Sequence, residues 1–178
     1  MLDLFLIIWI ILLVFGLITF IYGFPAMIKV GPIPTSKKGT EKAVALADIK
    51  PGENFYELGC GEGRVLVKTV EKYDCFGVGY ELVIPYYLLA KLRARLSKKS
   101  KNINVRCQNF FKADLRDADV IFCFLTPGLM QKLGKYFQEQ ELKKGVRIVS
   151  YAFKIRNLEP ERIIKHSKEN WNIYMYRL

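Results

Sequence analysis

The chain has a single histidine, His166, and four scattered cysteines, Cys60, Cys75, Cys107 and Cys123, in 178 residues. No C-x-x-C pair occurs, so a zinc site lacks ligands and no metal is expected. Each cysteine lies in or beside an apolar run, which predicts buried, reduced thiols behaving as small hydrophobes. No stretch repeats at a period of roughly 20–50 residues, which excludes solenoids and arrays. From Leu4 to Phe24 there is no charged side chain, and Thr19 is the one clearly polar residue. At about 1.5 Å per residue that run reaches roughly 30 Å, a bilayer's hydrocarbon thickness.

Residues 1–28 are therefore expected to form a transmembrane anchor. A cleaved signal peptide would want a basic start and a small-residue cleavage site, and Asp3 and Phe24-Pro25-Ala26-Met27 supply neither. A buried or interfacial helix is the other alternative. Lys29, Lys37, Lys38 and Lys42 follow the run and no side-chain cation precedes it, which puts the C-terminal side in the cytoplasm. Residues 29–42, with Pro32, Pro34, Gly31 and Gly39, read as a linker. Residues 43–178 are then long enough for one core of ordinary domain size.

Lys and Arg outnumber Asp and Glu 28 to 17, giving a net charge of +11. Such an excess fits nucleic acid, an anionic membrane surface or a merely solvated face. Lys91, Arg93, Arg95, Lys98, Lys99 and Lys101 are concentrated in eleven residues without an acid. For a tethered domain, contact with an anionic lipid surface is the economical reading. A solvated helix end with cations at its C-terminus is the bland one.

Beyond the linker, apolar runs of strand length alternate with helical patterns. Strands are predicted at 54–58, 75–80, 103–107, 119–125, 146–151 and 171–176. Helices are predicted at 40–47, 62–72, 85–96 and 128–138. That alternation implies an α/β fold with a parallel sheet covered on both faces, and ligands bind at the carboxyl ends of its strands.

The first strand ends in Glu57-Leu58-Gly59-Cys60-Gly61-Glu62-Gly63-Arg64. Glycines there let backbone approach a ligand closely beside a helix N-terminus. The dinucleotide fingerprint G-x-G-x-x-G would need glycine where Arg64 stands. The second strand ends in Glu81, whose carboxylate can accept both hydroxyls of a ribose. The third ends in Gln108-Asn109-Phe110.

An acid-x-G-x-G-x-G loop followed by a second acid at the next strand end resembles class I methyltransferases. Gly77-Val-Gly-Tyr-Glu-Leu82, Ala90 to Arg95, Val120-Ile-Phe122, Pro127-Gly-Leu-Met130, Glu141-Leu142 and Arg147-Ile-Val149 narrow the likeness. With Pro32-Ile-Pro-Thr35 and the N-terminal run, they resemble the lysine methyltransferases of the ATP synthase c-subunit and the adenine nucleotide translocase. The resemblance implies a Rossmann-like class I methyltransferase sheet, S-adenosyl-L-methionine as cofactor, and a lysine of a membrane protein as acceptor. It assigns cofactor binding to Glu57, Gly59, Gly61, Gly63, Glu81, Asn109 and Phe110. Asn109 stands where the family often has Asp, so its amide oxygen would receive the adenine amine. Cys60 and Glu62 stand where Ser and Asp are more usual.

A lysine must arrive neutral, and a dry channel lowers its pKa by desolvation. Thr126, Pro127 and Tyr151 are the channel candidates, with Phe124 and Phe153 beside them. Ordinary core packing is the alternative for these aromatics. No clear general base is visible, and His166 reads as a surface residue. Leu125-Thr126-Pro127 replaces the Asn/Asp-Pro-Pro-Tyr/Phe signature of nucleobase amino methyltransferases, so no nucleic-acid partner is expected. Methylation of a lipid or membrane-dissolved small molecule, or a non-catalytic nucleoside-binding module, are the rival functions.

Overall fold

The structure, a computed structural model, describes residues 2–18, 37–166 and 171–178. They fall into two compact units, one within residues 1–34 and the other within 35–178. In the first, helix α1 covers Leu2–Ile18. Its 17 residues rise only about 26 Å at 1.5 Å each, less than a hydrocarbon core. Among the described residues no helix is long and apolar enough to cross a membrane. The described residues thus give the expected transmembrane helix no support, and residues 19–28, with the linker to residue 36, lie outside the described residues.

The second unit is a seven-stranded sheet in the order β3-β2-β1-β4-β5-β7-β6. Its strands are β1 (Asn54–Leu58), β2 (Phe76–Glu81), β3 (Ile103–Cys107), β4 (Val120–Cys123), β5 (Arg147–Ala152), β6 (Arg162–His166) and β7 (Trp171–Arg177). The first five are parallel. β7 runs antiparallel to both β5 and β6. The helices are α2 (Lys37–Leu46), α3 (Arg64–Tyr73), α4 (Ile84–Leu96) and α5 (Pro127–Glu139). α2 thus begins inside the expected linker.

Alternation along the strands sorts the core into two layers. Phe55, Phe122, Val149 and Tyr151 pack with Ala43 and Val44 of α2, with Ala47 just after it, and with Leu66 and Val70 of α3. Tyr56, Leu58, Ile121, Cys123 and Ile148 pack with Met130, Leu133 and Phe137 of α5. Two glycines of β2 admit α3: a Cβ on Gly77 would lie 2.4 Å from Val70 Cγ2, and one on Gly79 2.7 Å from Leu66 Cδ2. On α5, a Cβ at Gly134 would stand 1.8 Å from the carbonyl oxygen of Arg156. Arg147 ties the layers at the opposite end of the sheet. Its Nη1 donates to the carbonyls of Ala47 (2.7 Å) and Asp48 (2.8 Å), and its Nη2 meets Glu53 Oε1 at 2.6 Å.

Strand β6 is absent from the sequence reading. Its five residues hold only two apolar ones, Ile163 and Ile164, among charges, as suits a strand at a sheet edge. The cysteines need one correction. Cys60, Cys75 and Cys123 are buried free thiols, whereas Cys107, last residue of β3, is exposed.

Candidate active site

The strand order reverses between β1 and β4, and in such sheets the carboxyl ends of the strands at that point are where ligands bind. The loop leaving β1 turns through three left-handed glycines, Gly59 (φ +73), Gly61 (φ +53) and Gly63 (φ +75). Each serves a different contact. A Cβ on Gly59 would sit 2.7 Å from Leu125 Cδ2, and one on Gly63 3.0 Å from the Cβ of Ala90. Gly61 has nothing within 4 Å of that position, so it leaves the loop open to a ligand.

Glu81 braces this loop. Its Oε2 accepts from the Gly61 N–H at 2.8 Å and its Oε1 from the Val83 N–H at 2.8 Å. Glu62 is held between Arg64 Nε (2.8 Å) and Arg93 Nη2 (2.8 Å), and Arg93 Nε also donates to the Glu62 carbonyl at 3.0 Å.

Glu57 is 4 % exposed, and its Oε2 has no hydrogen-bond partner among the described residues. Burial holds its carboxyl well above the usual range; the Leu66 N–H opposes that rise and the Glu81 charge adds to it. A buried acid with an unsatisfied oxygen is costly by itself and gains from a cationic or hydrogen-bonding neighbour. That is the environment an aminoacyl ammonium would relieve.

Asn109 is held by the backbone of the turn that follows it. Its Oδ1 accepts from the Phe111 N–H at 3.0 Å, capping the short turn Phe110–Lys112. That oxygen has a second lone pair, so the cap leaves room for the expected adenine contact. Phe110 is half-buried beside Phe111, ring centroids 4.5 Å apart. The Tyr136 hydroxyl of α5 is shared between the carbonyls of Phe110 (2.8 Å) and Ala113 (2.9 Å), fixing this turn.

Of the residues expected to line an acceptor channel, Thr126 is the residue before α5 and Pro127 its first. Thr126 is half-buried and Pro127 exposed. Tyr151 is fully buried, edge-on to Phe124 (5.1 Å) and Trp171 (5.7 Å). It packs within the core rather than opening to solvent. The side chain of His166 lies outside the described residues, and among those described no group of three His, Cys, Asp or Glu could hold a metal. Sequence reasoning missed Leu125, Ala90 and Arg93. Only the small size of Ala90, opposite Gly63, could have hinted at its contact.

Three left-handed glycines, an open approach at Gly61 and an under-satisfied buried acid fit a nucleoside with a cationic aminoacyl end. The chain matches the ANTKMT methyltransferase domain family over residues 57–162. It belongs to that family. It is 30 % identical over 152 residues to a protein-lysine N-methyltransferase of Saccharolobus islandicus (strain REY15A), covering 81 % of this chain and 91 % of that protein. It is 28 % identical over 140 residues to the adenine nucleotide translocase lysine N-methyltransferase of Mus musculus, 79 % of this chain and 60 % of the mouse protein. Among solved structures it is similar to an RNA methyltransferase of Salinibacter ruber in complex with S-adenosyl-L-homocysteine. That likeness has a TM-score of 0.76 at 28 % identity and covers 82 % of this chain and 93 % of that one. This chain is an S-adenosylmethionine-dependent methyltransferase with the Rossmann-like sheet of its family.

Proposed function

We propose that this methyltransferase modifies the side-chain amine of a lysine in a membrane protein. The observation that carries the reading is the likeness to the archaeal protein-lysine N-methyltransferase over nearly the whole length of that protein. S-adenosylmethionine supplies an electrophilic methyl on its sulfonium. Glu57, Gly59, Gly61, Gly63, Glu81, Asn109 and Phe110 bind and orient the donor. Thr126 and Pro127 form the mouth through which the acceptor enters, backed by Tyr151. The segment from Phe124 to Met130 has no ionisable side chain. Such walls exclude water and favour a neutral amine, so the residues work by desolvation and in-line positioning.

Membrane attachment through residues 1–28, with a linker to 42 and the catalytic domain cytoplasmic, belongs to the same proposal. It rests on the uncharged run from Leu4 to Phe24 and the lysines after it. A second reading, RNA as acceptor, draws on the net charge of +11 and on the name of the Salinibacter ruber protein. Membranes and total RNA incubated with enzyme and methyl-labelled donor separate these acceptors. Label in protein, released as methyl-lysine on hydrolysis, supports the proposal. Label confined to lipid or RNA overturns it.

A further inference from the structure

Helix α4 turns its apolar side away from the core. It packs on β2, β3 and α3, and its buried residues are Ala90 and Ala94. Ile84, Leu88, Leu92 and Leu96 recur every four residues and are 62, 56, 54 and 77 % exposed. Leu82 and Leu89 widen the stripe, both also exposed. A surface helix ordinarily presents such a stripe to the core, and a contiguous exposed one marks a contact surface.

The charges around the stripe select the partner. By helical spacing Lys91 and Arg95 border it on one side and Arg93 on the other. Lys98 and Lys101 continue beyond the helix, and no acid occurs from Ile84 to Lys101. Arg93 is engaged by Glu62 and Lys99 by Asp74. Lys91, Arg95, Lys98 and Lys101 have no ion-pair partner among the described residues. Leucines flanked by long-stemmed cations match the boundary between acyl chains and anionic headgroups, where the stems reach outward to phosphate.

We propose that the outward face of α4, with Leu82 just before it, lies in the interfacial layer of an anionic membrane. Leu88 and Leu92 insert beneath the headgroups, and Lys91 and Arg95 meet the phosphates. α4 starts three residues after Glu81, so docking sets the donor-site crevice beside the lipid surface. The contact is separate from residues 1–28 and independent of the acceptor's identity.

The test uses the full chain with Cys107→Ser, which removes the exposed thiol, and an environment-sensitive fluorophore on Leu92→Cys. A label on Glu139→Cys, at the end of α5, is the control. Vesicles are phosphatidylcholine alone or mixed with phosphatidylglycerol. At position 92 the anionic vesicles should shift emission to the blue and allow quenching by brominated acyl chains, and position 139 should show neither. With Lys91→Gln and Arg95→Gln the partition constant, read from the shift against lipid concentration, should fall by roughly 25-fold, about fivefold per cation. Leu88→Glu should abolish the shift and leave S-adenosyl-L-homocysteine binding intact, which shows the domain folded. No shift at 92 on either vesicle overturns the proposal. So does an equal shift on phosphatidylcholine alone, which removes the anionic partner. A blue-shifted spectrum before vesicles are added overturns it too, because a protein segment then covers the face.

Discussion

Replacing Glu81 by alanine should weaken donor binding and loosen the fold together, because one carboxylate serves both. Its oxygens accept from the Gly61 and Val83 N–H groups, each at 2.8 Å. Hydrogen bonds to a charged group contribute about 1.5–3 kcal/mol each, but Glu81 is half-exposed and water replaces part of that. The net folding loss is then about 1–2 kcal/mol, a fall of roughly 2–8 °C in Tm for a chain of this size. Donor affinity should drop by about 1.5–3 kcal/mol, or roughly 10- to 150-fold, as the ribose contact goes and Gly61 relaxes. Glu81→Gln separates the effects: its one amide oxygen keeps a single backbone bond, so about half the Tm loss returns while affinity stays low. Titration calorimetry with S-adenosyl-L-homocysteine and scanning calorimetry of each variant read the two quantities. Wild-type affinity in folded Glu81→Ala would refute the reasoning and remove Glu81 from the site.

Three further expectations follow from the same geometry. Burial raises the Glu57 carboxyl above its ordinary value of 4.5, so its stabilising contribution is full below about pH 4.5 and is lost as pH rises through the raised value. Ligand-free Glu57→Gln should therefore lose less stability than wild type between about pH 4 and pH 8 in urea titrations, and parallel curves would contradict the assignment. Gly134→Ala drives a methyl onto the Arg156 carbonyl and should cost about 3 kcal/mol, the upper range for overpacking; an unchanged Tm would show that the loop yields freely. Thr126 makes no side-chain cap bond, so Thr126→Ala should change turnover little, whereas Thr126→Trp should abolish methyl transfer and spare donor binding. Wild-type labelling by the tryptophan variant would move the acceptor mouth elsewhere.

The parts legible in the sequence are those written locally. Glycine spacing after β1, Glu81 at the tip of β2 and the apolar periodicities of α3 and α5 each depend on residues close together in the chain. The parts that were not legible depend on partners far away. Nothing in Trp171–Arg177 states that β7 enters between β5 and β6 in reverse, and the two isoleucines of β6 are too few to stand out. Arg93 reaches Glu62 across 31 residues, a pairing set by how α4 crosses α3. The cap that Asn109 gives the next turn was not foreseen, although Asn side chains commonly bond nearby backbone N–H groups. The N-terminal run is plainly apolar, and among the described residues it forms no helix long enough to cross a membrane.

Helix α5 carries consequences for how such enzymes could diverge. Thr126 and Pro127, at its start, stand at the proposed acceptor mouth, while Tyr136, near its other end, fixes the Phe110 turn. Gly134, between them, fits against the Arg156 carbonyl with no room to slide. A lineage that shifted this helix to welcome a larger acceptor would disturb the Phe110 turn of the proposed donor site at the same time. New acceptor preferences are thus channelled into side-chain exchanges in the first turn and into neighbouring loops, with the helix itself inherited in place.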